Sequence, residues 1–349
     1  MTEQVKIKAG IIGASGYTGA DLIRLAACHP GLEISHLTAG KHAGSALGEV
    51  FPHLGGLDLP ELSATEDIDW SDTDVVFCGL PHGTSQEVIA ALPGHLKIID
   101  LSADFRLRDA HVYSEWYGHE HKALHLQKKA VYGLTEYYRD DIAKADLVAC
   151  PGCYPTAALL MLLPLVEKDL IHADDIVIDA KSGASGSGRG LKQYTLFCEV
   201  SEALHPYGIA HHRHAPEIEQ ELSVAGRRPL IVSFTPHLIP MNRGELLTTY
   251  VRLAKGVSAA DLRQALDARY KDEPFVRVAL EGQTPETQHI RGSNTCLLGV
   301  FEDRVPGRAI LVSTLDNLVK GSSGQALQNF NLMFGFDETC GLQQLPLFP

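Results

Sequence analysis

The chain lacks several features that mark specialised classes of protein. No apolar run approaches the ~18 residues of a membrane span, so we expect no membrane partner. Internal repeats, low-complexity tracts and charged tails are also missing. Positive charge is in deficit, because 30 lysines and arginines face 43 acidic residues and leave a net charge of -13. That balance argues against nucleic acid as a partner, although local basic residues can still bind anionic small molecules.

Cysteine is scarce, and its spacing is not that of a secreted disulfide framework. The seven cysteines are odd in number and indicate reduced thiols in a reducing compartment. The apolar stretch after Lys8 is short and broken by glycine, which predicts a strand and turn rather than a signal peptide. We therefore expect a cytoplasmic protein. The remaining composition, 45% apolar and 21% charged in 349 residues, suits a globular chain of two domains.

The first half of the sequence alternates between buried strands and helices. Strand patterns occur at 5–12, 32–38, 74–80, 97–101 and 146–150, and helical patterns at 20–28 and 85–92. Apolar runs of this kind are typical of parallel strands that are covered on both faces. The alternation predicts an α/β domain over 1–152, with a Rossmann-type doubly wound parallel sheet.

From residue 153 the pattern changes to longer strands and fewer helices. Strands are predicted at 176–181, 246–253, 275–280, 295–301 and 309–313, and helices at 155–168, 258–271 and 317–334. Ser258 and Asp261 have the spacing of a capping box. We expect an α+β catalytic domain over 153–314, with a mixed sheet covered by helices on one face. Residues 315–349 should form a C-terminal helix that returns to the first domain.

A glycine-rich turn follows the first predicted strand and opens the first predicted helix. It has the pattern G-x-x-G-x-x-G, in which Gly13, Gly16 and Gly19 enclose Ser15, Tyr17 and Thr18. Glycines at this point of the fold let backbone N–H groups approach a pyrophosphate at the helix N-terminus. The position of the turn therefore predicts a dinucleotide site. A purely structural tight turn is the alternative.

The end of the second predicted strand distinguishes between the two nicotinamide cofactors. NAD sites usually place Asp or Glu there to bind the ribose hydroxyls. This chain has Thr38-Ala-Gly-Lys41 instead, so no carboxylate repels a 2′-phosphate and Lys41 could pair with one. The cofactor is predicted to be NADP(H). Alternatively, Lys41 is only a solvated loop lysine.

Cys153 is the candidate nucleophile. It lies between a predicted strand and a predicted helix, and Pro155 suits the first helical position. Just before a helix N-terminus, the helix dipole favours the reactive thiolate. Cys150 and Cys153 also form a Cys-x-x-Cys pair, which leaves a redox motif or half of a zinc site as alternatives. We favour a nucleophile and no metal. A buried structural role is expected instead for two other cysteines, Cys28 and Cys296.

A nucleophilic cysteine needs a base, and three histidines cluster before a predicted helix. His211, His212 and His214 are the candidates, although they could also complete a zinc site. One of them could take the thiol proton and then act as acid and base on the substrate. Isolated histidines such as His29 and His95 are expected at the surface.

Seven segments then match one family in order along nearly the whole chain. They are GASGYTG (13–19), DLSADFR (100–106), PGCYPT (151–156), SGASGSGR (182–189), HRHAPE (212–217), PHLIPMNRG (236–244) and DNLVKG (316–321). The sequence thereby resembles the N-acetyl-gamma-glutamyl-phosphate reductase family, in its longer form. It is more distantly similar to aspartate-semialdehyde dehydrogenases. One departure is Cys150, where the family often has Asn.

The resemblance implies a reaction of arginine biosynthesis. N-acetyl-L-glutamyl 5-phosphate is reduced with NADPH to N-acetyl-L-glutamate 5-semialdehyde, and inorganic phosphate is released. The resemblance maps the nucleophile onto Cys153 and the acid–base residue onto His212, with His214 as second choice. The chemistry runs through a Cys153 thioester and a thiohemiacetal. An acyl-phosphate reductase for an aminoadipyl or aspartyl substrate is the alternative. A non-catalytic NADP-binding regulator is disfavoured because both the cysteine and the histidine are present.

Further residues are candidates for binding the ligands. Phosphate and carboxylate groups suit arginine, so Arg106 is assigned to phosphate, and Arg189 and Arg243 to phosphate or the α-carboxylate. Each is alternatively a surface arginine. Ser182 and Gly183 begin a glycine-rich stretch that should approach cofactor or substrate. Asn317 and Lys320 are expected to contact the cofactor from the last helix. The partners are otherwise further copies of the chain, in a dimer or tetramer.

Cys150 has two interpretations. It could capture an oxidised Cys153 as a disulfide and switch the enzyme off reversibly. Pro151 restricts the backbone of Cys150 to extended conformations, which can point the two sulfurs apart. We favour the second interpretation, a small buried core residue.

Overall fold

The computed structural model describes residues 6–349. The strands of these residues are β1 (Ile7–Ile12), β2 (Leu32–Thr38), β3 (Leu62–Ser63), β4 (Val75–Cys78), β5 (Lys97–Asp100), β6 (Val131–Tyr132), β7 (Leu147–Ala149), β8 (Val177–Gly183), β9 (His205–Pro206), β10 (Ser233–Ile239), β11 (Glu245–Arg252), β12 (Val276–Val278), β13 (Cys296–Glu302) and β14 (Arg308–Leu315).

The helices are α1 (Tyr17–Ala26), α2 (Leu47–Val50), α3 (Ser85–Ala91), α4 (Ala110–Tyr117), α5 (Leu124–Gln127), α6 (Thr135–Ile142), α7 (Cys153–Glu167), α8 (Phe197–Val200), α9 (His214–Gly226), α10 (Ala259–Tyr270) and α11 (Gly324–Met333). A π-helical turn at Val319–Ser323 precedes α11. No helix of the described residues is long and apolar enough to cross a membrane.

The chain divides into two compact units. The first comprises the described residues up to Pro151 together with Ser322–Gln343. Its strands follow the order β3-β2-β1-β4-β5-β7-β6, and every pair is parallel. The central strands β4 and β7 are buried throughout, as apolar strands covered on both faces must be. The predicted Rossmann-type sheet is therefore confirmed. Helix α11 belongs to this unit and contacts α1, α6 and β5.

The second unit comprises Gly152–Gly321 and Gln344–Pro349. Its sheet has the order β12-β13-β14-β11-β8-β10-β9. Strand β8 is parallel to β10 and antiparallel to β11, so the predicted mixed sheet is confirmed. Burial alternates along β10 and β11, which shows that one face is covered. Helix α7 contacts β11 and β14, while α10 contacts β12 and β13. The predicted capping box of α10 is present.

Helix α7 is the apolar centre of the second unit. Every residue from Tyr154 to Val166 is buried. The helix begins at Cys153, two residues earlier than predicted, because Gly152 adopts the extended backbone of an N-cap (φ -66°, ψ 160°). Cys153 is therefore the first helical residue, rather than the residue before the helix. Pro155 still lies in the first turn, where its missing N–H costs nothing.

Other expectations need correction. The last helix is not continuous from 317 to 334, because a turn and the π-helical segment precede α11, so Asn317 lies outside any helix. His29 is buried, not exposed: its Nε2 lies 2.9 Å from Asn331 Oδ1, and burial lowers the pKa of His29. Cys28 is exposed, whereas Cys296 is buried as expected. The predicted first strand begins at residue 5, which lies outside the described residues.

Candidate active site

The first part of the candidate site is the glycine turn of the first unit, in which two of the three glycines are closely packed. Gly13 has φ +84°, and a Cβ there would lie 2.5 Å from the carbonyl oxygen of Gly79. A Cβ at Gly19 would lie 2.7 Å from the carbonyl oxygen of Gly13. At Gly16 the nearest atom would be 3.5 Å away. Gly13 and Gly19 thus allow close backbone packing, whereas Gly16 leaves room above the turn.

The N-terminus of α1 has no side-chain cap and no acidic neighbour that would repel an anion. Gly16 is its N-cap, no side chain caps it, and the first turn contains no acidic residue. The first N–H groups of a helix have no intrahelical acceptor and carry partial positive charge. Tyr17 is 39% exposed, while Ser15 and Thr18 are half-buried beside it. The predicted residues of this turn therefore lie together at one helix end.

The end of β2 supports the turn and leads to Lys41. The carbonyl oxygen of Thr38 accepts hydrogen bonds from the backbone N–H groups of Gly13 (3.1 Å) and Ala14 (2.9 Å). The Thr38 side chain is buried and hydrogen-bonds Thr65 Oγ1 at 2.9 Å. Lys41 is exposed in the 3-10 turn Gly40–His42 that follows β2. A lysine rather than a carboxylate therefore follows this strand.

The second part of the candidate site surrounds Cys153 in the second unit. The backbone N–H of Gly152 donates to Glu217 Oε1 at 2.9 Å. The ring of His214 lies directly against Gly152, because a Cβ at that position would be 2.4 Å from His214 Nε2. A Cβ at Gly321 would be 2.6 Å from Cys153 Cβ. Two glycines thus allow α9 and the π-helical turn to approach the start of α7.

The structure brings His212 and His214 together beside Tyr154, the residue that follows Cys153. His214 is the first residue of α9, and its backbone N–H donates to His212 Nδ1 at 3.2 Å. The two rings are 4.8 Å apart, and they lie 5.9 Å and 5.7 Å from the ring of Tyr154. His211 is exposed. Because Nδ1 of His212 accepts a hydrogen bond, the proton of the neutral ring is on Nε2.

Sequence reasoning missed Glu245, a buried carboxyl group at Cys153. Glu245 is the first residue of β11 and has no exposed surface. Burial raises the pKa of Glu245 to about 8, the nearby Cys153 thiol opposes part of that increase, and repulsion from Asp316 adds to it. Glu217, buried beside Gly152, lies within the matching segment 212–217 but carries no role predicted from the sequence. A signal for Glu245 was its position directly after the arginine–glycine pair of the matching segment 236–244.

Asn317 ties together the loops around the end of β8. Its Oδ1 accepts from the Gly244 N–H and its Nδ2 donates to Ser185 Oγ, both at 2.9 Å. Ser182 is buried, and its Oγ donates to the Gly183 carbonyl at 3.2 Å. A Cβ at Gly183 would lie 2.7 Å from the Asn242 carbonyl oxygen. Lys320 is completely buried in the π-helical turn. The oxygen and the nitrogen of the Asn317 side-chain amide thus each bind another loop of the same unit.

The three candidate arginines have different environments. Arg106, in the first unit, is buried, and donates from Nε to the Cys150 carbonyl at 2.7 Å and from Nη2 to the Leu101 carbonyl at 3.2 Å. In the second unit, Arg243 Nη1 lies 3.5 Å from Asp316 Oδ1. Arg189 is exposed in the loop after β8. Arg106 is thereby fixed in orientation by two backbone carbonyls.

Cys150 is a buried core residue, as favoured from the sequence. It is 1% exposed, and its Sγ lies 3.7 Å from Asn329 Nδ2. Burial raises the pKa of Cys150 to about 12. Its thiol is therefore protonated at neutral pH, which makes it a poor nucleophile. No disulfide bond joins the cysteines of residues 6–349.

Comparison with protein-family models identifies both units. The semialdehyde dehydrogenase NAD-binding domain matches residues 8–145. The semialdehyde dehydrogenase dimerisation domain matches residues 153–317. Together these matches cover most of the chain.

Similar proteins share one name. An N-acetyl-gamma-glutamyl-phosphate reductase of Rhodospirillum rubrum is 60% identical and covers 100% of both chains. One from Afipia carboxidovorans is 56% identical over 97% of this chain and 98% of its own. A probable chloroplastic enzyme of the same name from Arabidopsis thaliana is 56% identical over 98% of this chain and 86% of its own.

Solved structures show the same fold at much lower identity. Aspartate semialdehyde dehydrogenase II of Vibrio cholerae, complexed with ASA, has a TM-score of 0.71 at 15% identity, covering 95% of this chain and 98% of its own. The Candida albicans aspartate semialdehyde dehydrogenase with NADP has a TM-score of 0.67 at 17% identity, covering 94% and 98%. These likenesses concern the fold alone.

Proposed function

Since the chain belongs to the N-acetyl-gamma-glutamyl-phosphate reductase family, we propose roles for its side chains in the reaction of that family. The enzyme reduces N-acetyl-L-glutamyl 5-phosphate to N-acetyl-L-glutamate 5-semialdehyde with NADPH, releasing phosphate, in arginine biosynthesis. Identity of 54–60% over nearly the full chain to relatives of that name carries this conclusion. The aminoadipyl and aspartyl alternatives are not favoured.

NADP(H) is the cofactor, and the turn from Gly13 to Gly19 is the proposed pyrophosphate site. The room above Gly16 and the uncapped N-terminus of α1 support this assignment. Lys41 is the proposed partner of the 2′-phosphate, supported by its exposure and by the absence of acidic residues at 39–42. NADPH, when bound, supplies the hydride. Thr38 holds the turn through its carbonyl oxygen rather than through its buried side chain.

Cys153 is the proposed nucleophile. As the first residue of α7, it lies at the helix end where the dipole stabilises a thiolate. Its sulfur attacks the acyl carbon, the C–O bond to phosphate breaks, and a thioester remains. Hydride addition gives a thiohemiacetal oxyanion, whose collapse breaks the C–S bond and releases the aldehyde. The Gly152 hydrogen bond to Glu217 and the packing of His214 on Gly152 fix the position of this helix end.

His212 is the proposed acid–base residue at the substrate oxygen. Its Nδ1 accepts the His214 N–H, so its Nε2 carries the proton that can be donated to an oxyanion. Tyr207 and Phe234 surround the ring, with centroids at 5.3 Å and 5.4 Å, and hold its orientation. His214 is the second candidate.

The remaining ligand assignments are proposals of the same kind. Arg106 is proposed to bind the phosphate group. Two backbone carbonyls hold its guanidinium group in place, which supports this role. Arg189 and Arg243 are proposed for the phosphate or carboxylate groups of the substrate. The cofactor-binding residues proposed in the second unit are Ser182, Gly183, Asn317 and Lys320. We propose that Asn317 and Lys320 act on the cofactor site by holding its loops in place, because both polar atoms of the Asn317 side chain are hydrogen-bonded to other loops and Lys320 is completely buried.

The match to a dimerisation domain supports assembly into homo-oligomers. A dimer or tetramer is proposed, and size-exclusion chromatography with light scattering distinguishes them. A cytoplasmic location is proposed, supported by seven cysteines without a disulfide bond. Two plant relatives are named chloroplastic.

The function is tested in the oxidative direction. The enzyme is supplied with NADP and N-acetyl-glutamate 5-semialdehyde, and in parallel with the aspartate and aminoadipate analogues, each with and without phosphate. We expect NADP reduction with the N-acetyl-glutamate substrate and only when phosphate or arsenate is present, because these resolve the thioester. Rapid oxidation without phosphate would indicate a hydrolytic aldehyde dehydrogenase instead, and a preference for an analogue would reassign the substrate.

A further inference from the structure

Asp104 is a buried carboxylate of the first unit, within the matching segment 100–106 that also contains Arg106. It lies in the loop after β5 and has no exposed surface. A buried carboxylate is costly unless hydrogen bonds satisfy it. The groups that donate to Asp104 therefore show which part of the fold this carboxylate holds.

Three donors bind the Asp104 carboxylate. The Gly83 N–H lies 2.9 Å from both of its oxygens. The Ser85 hydroxyl donates to Oδ2 and the Tyr113 hydroxyl to Oδ1, each at 2.7 Å. Gly83, which has φ +81°, lies in the loop that follows β4, and Ser85 begins α3 directly after that loop. Hydrogen bonds to a charged acceptor are the stronger kind, so Asp104 fixes residues 79–84, here termed the β4 loop.

The backbone of Asp104 is itself held on both sides. Its N–H donates to Ser102 Oγ at 3.1 Å, and its carbonyl oxygen lies 2.9 Å from His121 Nε2. Ser102 Oγ in turn donates at 2.7 Å to Oδ2 of Asp100, the last residue of β5. The carboxylate of Asp104 is thus tied to the sheet, and the β4 loop is tied to the carboxylate.

The β4 loop leaves the sheet beside the glycine turn. Strands β1 and β4 are parallel, and Ile12 pairs with Cys78 at their ends. The Gly79 N–H donates to the Ile12 carbonyl oxygen at 2.8 Å. The strand order reverses here, because β2 and β3 lie on one side of β1, whereas β4, β5, β7 and β6 lie on the other. Ligands of such sheets bind in the crevice outside the strand ends at the reversal. The glycine turn and the β4 loop are the two sides of that crevice.

The direction of the cofactor across this crevice follows from the roles of the neighbouring loops. Lys41, the proposed partner of the 2′-phosphate, follows β2, and the proposed pyrophosphate site follows β1. Strand β4 lies on the opposite side of β1 from β2. A dinucleotide bound in this order must extend its nicotinamide half toward the end of β4. The β4 loop is exposed there at Pro81, His82 and Thr84.

We propose that Asp104 is a positioning residue, which holds the β4 loop where the loop contacts the nicotinamide half of NADPH. This proposal rests on the cofactor site given above. Without the carboxylate, the Gly83 N–H and the Ser85 hydroxyl lose their common acceptor, and the loop is released from the sheet. Contacts with the nicotinamide half are then weakened. The adenosine half, bound at the glycine turn and Lys41, keeps its contacts.

The test compares the binding of two ligands by calorimetric titration. One is NADPH, and the other is 2′,5′-ADP, which has the adenosine and the 2′-phosphate but no nicotinamide half. The measured quantity is the ratio of the two dissociation constants, in which any change at the shared adenosine site cancels. Asp104→Ala should lower the advantage of NADPH about tenfold or more, while its affinity for 2′,5′-ADP stays within about twofold of the native value.

Two single-hydroxyl variants form a matched pair, which also serves if Asp104→Ala does not fold. Ser85→Ala and Tyr113→Phe each remove one 2.7 Å hydrogen bond from the same carboxylate, but only Ser85 adjoins the β4 loop. Ser85→Ala should lower the advantage of NADPH about threefold, and Tyr113→Phe should retain it.

A network that only stabilises the fold would give a different pattern. Equal losses in Ser85→Ala and Tyr113→Phe, or an Asp104→Ala variant that binds both ligands more weakly by the same factor, would overturn the proposal. A native ratio in both Asp104→Ala and Ser85→Ala would overturn it as well. Failure of the native enzyme to bind 2′,5′-ADP would contradict the cofactor site at the glycine turn and Lys41, and the positioning role with it.

Discussion

Two alanine substitutions in the glycine turn should have separate effects. Gly13→Ala should lower the stability of the fold, whereas Gly16→Ala should lower the affinity for the cofactor. Alanine at residue 13 would need φ +84° and would place Cβ 2.5 Å from the Gly79 carbonyl oxygen. The left-handed backbone costs about 1–2 kcal/mol, and overpacking of this kind costs about 1–3 kcal/mol. Gly13→Ala should therefore lose about 2–5 kcal/mol of stability. For a domain of this size, that lowers the unfolding temperature by roughly 5–15 °C.

Gly16→Ala should behave in the opposite way. Gly16 has φ -84°, which any residue adopts, and its Cβ would meet the nearest atom at an ordinary 3.5 Å. The fold should keep its unfolding temperature within about 2 °C. The new methyl group would, however, occupy the room above the helix N-terminus where the pyrophosphate is proposed to bind. We expect NADPH affinity to fall about tenfold or more, equivalent to about 1.4 kcal/mol.

Both variants are compared by calorimetry, with unfolding scans for stability and NADPH titration for affinity. Native stability in Gly13→Ala would refute the close packing of the turn on Gly79. Native affinity in a correctly folded Gly16→Ala would refute the placement of the pyrophosphate at this helix. Gly256→Ala has a left-handed backbone without a nearby atom and serves as a control for backbone strain in the second unit.

Thr38→Asp should weaken NADPH binding by like-charge repulsion, and equal kcat/KM for NADPH and NADH in the native enzyme would contradict the cofactor assignment. His212→Asn should lower kcat by about 10²–10⁴-fold, and a much larger loss in His214→Asn would move the acid–base role to that residue. Burial raises the pKa of Asp100 from 3.8 to about 7. The protonated carboxyl group therefore contributes stability that is fully present below the unfolded-state pKa of 3.8 and is lost as the pH rises through the folded-state pKa of about 7. The unfolding temperature of Asp100→Asn should therefore vary less than the native one across that window, and an unchanged slope would contradict it.

The parts of the fold that the sequence predicts are those with local signals. Apolar runs such as β4 and β7 need only their own residues to indicate a buried parallel strand. Helix α10 is predicted from its capping box, and the glycine turn is predicted from its position between a strand and a helix. Strand β10 was missed because Pro236 lies in its interior, and proline argues against a strand that is paired on both sides.

The surroundings of Cys153, the proposed nucleophile, depend on contacts that are distant in sequence. Glu245 is 92 residues from Cys153 in the chain, and nothing local distinguishes a buried glutamate from the exposed ones. Its environment arises when β11 pairs between β8 and β14. The state of His212 likewise depends on one backbone N–H, that of His214. Sequence motifs therefore identify candidate residues, whereas the burial of Glu245 and the tautomer of His212 are apparent only in the structure.

The most direct test of the account is to isolate the covalent intermediate. The enzyme is incubated with N-acetyl-L-glutamyl 5-phosphate in the absence of NADPH, quenched in acid, digested and analysed by mass spectrometry. We predict one acyl group on Cys153, removed by hydroxylamine as thioesters are, and none in Cys153→Ala. Glu302→Gln, a change at an exposed glutamate of β13, should carry the same label as the native enzyme. An acyl group on another cysteine, or turnover that continues in Cys153→Ala, would contradict the assignment of Cys153 as the nucleophile.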